Sequence, residues 1–301
     1  MAVTYKHLKE SRSDIVFHVV NTVFLTICFM IVAIPILNVL ASSFSDPFSV
    51  ITGKVGLWPV GFNVDAYKQI FQSRLLMTAY WNSIKYTFIG TCINIAMTVL
   101  AAYPLSIKRF VGRGFFTGLF VFTMIFSAPL IPTFLNIRNL GLLDTMWALL
   151  LPGAISVYNM IICRTYFSNS IPEEMIEAAG LDGASDLQIL TRIFLPLSKS
   201  ILAVLTLYYA VAHWNSYFDV YIYINSEEKM TLQVVLRNIM STAAALQEMT
   251  DAITPDTSKR AALIEVLKYA IIVFGSLPVV ILYPFVQKYF VKGVMIGSLK
   301  G

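Results

Sequence analysis

Residues 168–196 read Ser-Asn-Ser-Ile-Pro-Glu-Glu-Met-Ile-Glu-Ala-Ala-Gly-Leu-Asp-Gly-Ala-Ser-Asp-Leu-Gln-Ile-Leu-Thr-Arg-Ile-Phe-Leu-Pro, a stretch unlike the apolar runs on either side of it. Five of the 17 acidic residues of the chain (Glu173, Glu174, Glu177, Asp182 and Asp186) fall inside it. Its local chemistry predicts two short helices around a glycine turn. Pro172 suits the first turn of a helix, and Glu173 and Glu174 complement the positive end of its dipole. Met175, Ile176, Ala178 and Ala179 continue that helix, and Gly180 or Gly183 can end it in a left-handed conformation. Ser185 followed by Gln188 is a capping box that opens the second helix. Pro196 then leads into the next apolar run. Taken alone, these residues describe a well-capped loop with solvated carboxylates.

Working outward, the loop sits in a chain of 301 residues that is 57% hydrophobic and only 13% charged. Its mean hydropathy is +0.72. The charged share is about half of the roughly 25% usual for soluble domains, too little to cover so much apolar surface. A soluble enzyme is excluded, and so is a disordered chain, which needs the opposite balance. The net charge of +5 comes from Lys and Arg scattered between apolar runs, so no nucleic-acid partner is expected. Cys28, Cys92 and Cys163 all lie in apolar runs and suggest packing residues, with neither a disulfide framework nor metal-ligand spacing.

Six runs are long enough to cross a bilayer: Val16–Leu40, Ser83–Leu105, Phe115–Leu135, Trp147–Phe167, Ile201–Ile224 and Tyr269–Phe290. Pro35, Pro104, Pro129, Pro132, Pro152, Pro278 and Pro284 lie within them, a placement tolerated in membrane helices. Lys6, Lys9 and Arg12 precede the first run as in a signal peptide. That run is too long for such a peptide and lacks a cleavage site, so it reads as a retained helix. Short-loop charge sets the orientation. Lys108, Arg109 and Arg113 follow the second run and Lys288, Lys292 and Lys300 close the chain, whereas the loop Asn136–Thr145 holds only Arg138. Both termini are therefore expected to be cytoplasmic. The resulting layout is an all-α membrane protein: a tail (1–14), a six-span domain (15–291) with the loop 168–199 between the fourth and fifth spans, and a second tail (292–301).

Other features say less. Thr231–Met249 carries apolar residues at helical spacing and predicts a surface helix in the outer loop after the fifth span. Gly114 and Gly118 form a lone GxxxG. The fifth span is the most polar: helical spacing places Tyr208, Asn215 and Asp219 on one side, Trp214, Tyr217 and Tyr221 beside them, and Tyr209, His213 and Ser216 in a third group. Polar side chains at such depth usually face a cavity or bundle interior, and hydroxyl-rich ligands need hydrogen-bonding groups beside an aromatic wall. Tyr208, Tyr209, His213, Trp214, Asn215 and Asp219 are thus candidates for a substrate pathway. An interfacial aromatic belt is the plainer alternative.

The loop also carries a motif. Glu177-Ala178-Ala179, three residues, Gly183, nine residues, then Ile193, Leu195 and Pro196, resembles the EAA loop of ABC importer permeases at every defined position. Leu57-Trp58-Pro59, Asn63-Val64-Asp65-Ala66-Tyr67, Asn82-Ser83, Ala101–Ser106, Trp214-Asn215 and the ending Gln287–Gly301 are similar to the carbohydrate-uptake branch, the MalG-like permeases, and particularly to those serving oligosaccharides. The resemblance implies a bacterial cytoplasmic-membrane protein acting with a second permease, two copies of a cytosolic ABC ATPase and an extracytoplasmic solute-binding protein. It also implies that Glu177, Ala178, Ala179, Gly183, Ile193, Leu195 and Pro196 couple the spans to that ATPase. The chain has no P-loop, so ATP and magnesium are expected on the partner, and no cofactor or catalytic or metal-binding residue here. An ion-driven secondary transporter would need internal repeats and midplane ion ligands, and a membrane enzyme a nucleophile–base pair or metal cluster; neither pattern is visible.

Overall fold

The computed structural model describes residues 11–126, 128–248 and 255–298. Every regular element among them is helical. The chain divides into two compact units. One holds the described residues up to Ile70 together with Met240–Phe274, and the other holds Phe71–Ile239 and the chain from Gly275 onward.

In the first unit, α1 spans Arg12–Ser43 and opens with a capping box between Ser11 and Asp14. Its apolar side chains are exposed from Val16 to Leu37, on every face, as expected of a helix whose solvent is lipid. The Asn38 amide donates to the carbonyls of Val55 (3.1 Å) and Gly56 (2.9 Å). α2 (Pro47–Ile51) is capped by Asp46, and α3 covers Asp65–Gln72. Phe44 stacks on Phe62 and Tyr67, and the Tyr67 hydroxyl donates to Ser43 Oγ at 2.9 Å. The Trp58 of the Leu-Trp-Pro motif is 82% exposed.

The second unit is built on α4 (Arg74–Ser106), a 33-residue helix capped by Ser73. Next come α5 (Arg113–Ile125), α6 (Leu130–Asn139), α7 (Trp147–Leu150) and α8 (Val157–Ser170). The former loop follows as α9 (Glu173–Leu181), α10 (Asp186–Ile189), a π-helical turn (Leu190–Phe194) and α11 (Leu195–Leu197). α12 (Lys199–Asn215) and α13 (Phe218–Tyr223) follow; α14 (Leu232–Glu248) and α15 (Pro255–Ser298) are shared, Met240–Phe274 belonging to the first unit. α12 and α8 pack on α4 around Leu205, Met160 and Cys163, all fully buried, and an edge-to-face cluster of Tyr103, Phe167 and Phe194 closes one end of this core. Cys28 and Cys92 are exposed.

The six apolar runs do not all become single helices. Among the described residues three helices are long and apolar enough to cross a membrane, Arg12–Ser43, Arg74–Ser106 and Ala262–Pro284 within α15; counting two bent pairs as one span each raises the number to five. The run Phe115–Leu135 is divided into α5 and α6, which meet at 111°, because Pro129 is extended and bars its predecessor from helix. Trp147–Phe167 is interrupted between α7 and α8, where Pro152-Gly153 removes a donor and adds backbone freedom. Ile201–Ile224 stops at Asn215. There the Asn215 amide turns back to the Val211 carbonyl (3.0 Å), Ser216 becomes extended, and α13 starts a new axis. Hydropathy registers the apolar length of a run but not these backbone breaks.

The expected helix at Thr231–Met249 is present as α14. Its start is held by the Asn82-Ser83 pair: Asn82 donates to the carbonyls of Glu228 (2.7 Å) and Met230 (3.0 Å), and Ser83 Oγ accepts from Leu232 N (2.9 Å). Among the described residues nothing lies within 4 Å of where a Cβ on Gly114 or Gly118 would stand, so the GxxxG makes no close approach there.

Candidate functional site

Two regions bring the candidate residues together. The first is the loop. Pro172 is the N-cap of α9, Glu173 and Glu174 sit in its first turn, and the glycine that turns the chain is Gly183, with φ +79°. The capping box between Ser185 and Gln188 forms as predicted (Ser185 N to Gln188 Oε1, 2.8 Å). Glu177 and Ala178 are exposed, whereas Ala179 packs partly against the core beside buried Ile176. Ile193 and Leu195 also pack on that core, and Pro196 is exposed. α9 therefore offers Glu174, Glu177 and Ala178 outward and anchors itself with Ile176 and Ala179. Leu181 and Leu187, at the tip, are 91% and 66% exposed. Beyond α11 the chain turns through 83° into α12 at Ser198, whose hydroxyl is buried and has no hydrogen-bond partner among the described residues.

A cleft of about 300 Å³ separates α9 from the end of α4, lined by Lys108, Arg109, Glu173, Glu174 and Glu177 among others. Across it Lys108 Nζ meets Glu173 Oε2 at 2.9 Å, and this contact raises the affinity of Lys108 for its proton.

The second region is a cavity of about 460 Å³ between α4, α12, α13 and the break that separates α7 from α8. Tyr208, Tyr209, His213 and Asp219 line it, with Asn94, Ser156, Asn159 and Ser216. Trp214 and Asn215 are not among its lining residues. The Trp214 indole is buried and donates to the Gly275 carbonyl at 3.0 Å, and Asn215 is spent on its own helix. Spacing along one continuous helix placed Tyr208, Asn215 and Asp219 together; the break at Ser216 re-aims Asp219, so that it shares the cavity with Tyr208 while Asn215 does not.

The residues that organise this cavity lie on α4 and were missed. Asn94 Nδ2 donates to the Gly153 carbonyl (2.6 Å) and its Oδ1 accepts from His213 Nε2 (2.5 Å). Thr98 and Tyr209 share a hydrogen bond of 2.6 Å, and Ser156 N donates to the Tyr209 hydroxyl at 3.4 Å. Backbone groups released by the Pro152-Gly153 break are thus satisfied by side chains of α4 and α12, the condition for irregular backbone at membrane depth. A buried Asn in the middle of an apolar run was the available signal.

A third polar centre also went unread. Asp144, held at φ 58°, accepts from Asn225 N (3.0 Å), Ser226 N (2.9 Å) and Ser226 Oγ (2.6 Å), and pairs with Lys229 Nζ at 2.7 Å. The lysine bond above all, then the Ser226 donors, holds its carboxyl well below the usual carboxylate range.

With this geometry in hand, comparison with known proteins settles the family. Residues 94–296 match the family described as binding-protein-dependent transport system inner membrane component. This chain belongs to that family. It is a multi-pass membrane permease subunit of an ABC importer, a transport protein rather than an enzyme. The permease is 39% identical over 282 residues to the polygalacturonan/rhamnogalacturonan transport system permease protein YtcP of Bacillus subtilis, covering 92% of this chain and 96% of that one. It is 39% identical to protein LplC of the same organism, covering 98% of each. Among solved structures it resembles a chain of a bacterial ABC transporter involved in the import of the acidic polysaccharide alginate, with TM-score 0.83, 38% identity, and 94% and 99% of the two chains covered. A chain in a crystal structure of a bacterial alginate ABC transporter, in complex with an alginate pentasaccharide-bound periplasmic protein, shares the fold at TM-score 0.58 and 13% identity, over 90% of this permease and 92% of that chain.

Proposed function

We propose that the permease imports a polysaccharide-derived oligosaccharide, working with a second permease, two copies of a cytosolic ATPase that binds ATP and magnesium, and an extracytoplasmic binding protein. The chain then crosses the membrane six times with both termini and α9 on the cytoplasmic side, the broken runs counting as passages. α9 is the element on which the ATPase acts. Glu177 offers a charge-assisted contact, Ala178 a low profile that fits a partner's cleft, and Gly183 the turn behind them. The observation that carries this reading is α9 itself, a short acidic helix standing outward while Ile176 and Ala179 fasten it to the core.

The cavity is the part of the pathway supplied by this subunit. Tyr208, Ser216 and Asp219 present donors and acceptors beside an aromatic wall, the chemistry that suits sugar hydroxyls. ATP-driven movement of α9 tips the helices around it between two states.

The test uses the complete importer in proteoliposomes. Glu177→Ala with Gly183→Ala is expected to abolish import of an oligosaccharide while the permease stays assembled in the membrane. Parental import with intact ATPase stimulation would falsify the coupling role. Co-purification of an ATPase and a second permease separates an importer from an ion-driven transporter, which works alone.

A further inference from the structure

The C-terminal end of α4 is gripped at four places by the α8–α10 stretch. A helix ending at Ser106 leaves its last carbonyls without intrahelical donors. Two of these are taken by side chains of α8: Arg164 Nε donates to Leu105 O at 2.9 Å, and Ser168 Oγ to Ser106 O at 3.1 Å. Just beyond, Lys108 meets Glu173 in the first turn of α9, and the Tyr103 hydroxyl donates to Asp186 Oδ1 at the start of α10, at 3.4 Å. Edge-to-face contacts of Tyr103 and Phe167 with Phe194 fill the space between.

These ties are unequal. Lys108 and Glu173 are largely exposed, so their pair is screened and weak. Arg164 is a charged donor on a part-buried carbonyl, a stronger bond. It also stands inside the apolar run Trp147–Phe167, where a charge is costly and therefore marks a task.

α4 continues without interruption from this joint to the cavity. Asn94 lies about 18 Å from Ser106 at the usual rise per residue. It holds both His213 and the carbonyl of Gly153, and Thr98, one turn nearer, holds Tyr209. The other route from loop to cavity runs through the 83° turn at Ser198 into α12. A bend of 83° can absorb displacement, whereas a helix unbroken from Arg74 to Ser106, Pro104 lying in its last turn, passes on movement applied at its end.

We propose that Arg164 and Ser168 are positioning residues for transport: they clamp the end of α4 to the end of α8, which runs directly into α9, so that movement of α9 reaches the cavity through α4 as well as through α12. This rests on the coupling role given to α9 above.

The experiment measures import and ATP hydrolysis together in the reconstituted importer. Arg164→Met keeps the apolar stem and removes the donor. It is expected to lower oligosaccharide import about tenfold, the scale of one lost bond to a charged group. Hydrolysis falls much less, so more ATP is consumed per molecule imported. Arg164→Lys restores most of the import, and Ser168→Ala shifts the same ratio in the same direction by less. Import and hydrolysis falling in parallel, or an unchanged ratio in both Arg164→Met and Ser168→Ala, overturns the proposal. Glu177→Ala alone touches none of the residues in the four α4 contacts described, because Glu177 stands exposed on α9. If that variant imports normally, the role of α9 fails, whereas normal coupling in Arg164→Met alone removes only the α4 route.

Discussion

His213 Nε2 lies 2.5 Å from Asn94 Oδ1, and its ring fills the space beside Gly90, where an added Cβ would come within 2.5 Å of that nitrogen. Because Nδ2 of Asn94 is committed to the Gly153 carbonyl, Oδ1 must face the imidazole, and Nε2 is the nitrogen that carries the proton. Gly90 therefore permits the contact, Asn94 orients it, and the broken α7–α8 connection is tied in by the same amide.

Gly90→Ala tests the close approach. In an open helix interior this change stabilises by up to about 1 kcal/mol. Here the added methyl meets a ring on three of its atoms, and the cost of overpacking is about 1–3 kcal/mol. The melting temperature of the assembled importer is expected to fall, and import with it. A rise in melting temperature would show that His213 does not occupy this space.

Asn94→Leu is expected to destabilise the permease by about 1–3 kcal/mol for each polar group left unpaired, namely His213 Nε2 and the Gly153 carbonyl. Combined with His213→Leu in a double-mutant cycle, the two changes should cost less than the sum of the single effects, since they share one bond. Strict additivity in thermal unfolding would refute the shared bond.

Gly183 sits at φ +79° with no atom of the described residues within 4 Å of where a Cβ would stand, so backbone strain decides what replaces it. Gly183→Ala is expected to cost about 1–2 kcal/mol in the loop, and Gly183→Asn less, because Asn tolerates left-handed geometry. Amide exchange across 173–189 should order the variants glycine, asparagine, alanine from most to least protected. Equal protection would place the turn elsewhere.

Asp144 gives a pH dependence. Its carboxyl titrates lower in the folded protein than in the unfolded chain. The stabilisation is therefore complete above the ordinary carboxylate value near 4 and is lost as pH falls from there toward the folded value. Asp144→Asn keeps a residue suited to positive φ but loses the charge paired with Lys229. It is expected to lower stability by about 1–3 kcal/mol at pH 7 and to flatten the acid limb of a stability-versus-pH curve. An acid limb unchanged in the variant would assign that titration to other groups.

Much of the loop is legible in the sequence. Capping, dipole and glycine-turn rules act over three or four residues, so Pro172, Gly183 and the Ser185–Gln188 box appear where local chemistry puts them. The cavity was legible only in part. Tyr208, Tyr209, His213 and Asp219 were readable as polar residues in an apolar run, but their grouping was not, because the break at Ser216 changes the axis on which helical spacing is counted. Trp214 shows the same limit: named from its spacing as a pathway candidate, it has its indole buried and bonded to the Gly275 carbonyl, outside the cavity lining.

The sequence by itself determined that this chain lives in lipid, that it is helical, and where its one acidic, capped loop lies, since these follow from composition and from interactions between near neighbours. Only the tertiary structure decided which helices are broken, that Asn94 reaches across to His213 and Gly153, and that Arg164 holds the end of α4. Those contacts join residues some 60 to 120 positions apart. They exist because freed backbone groups in an apolar medium must find partners wherever packing brings them, and no local pattern records who the partner is.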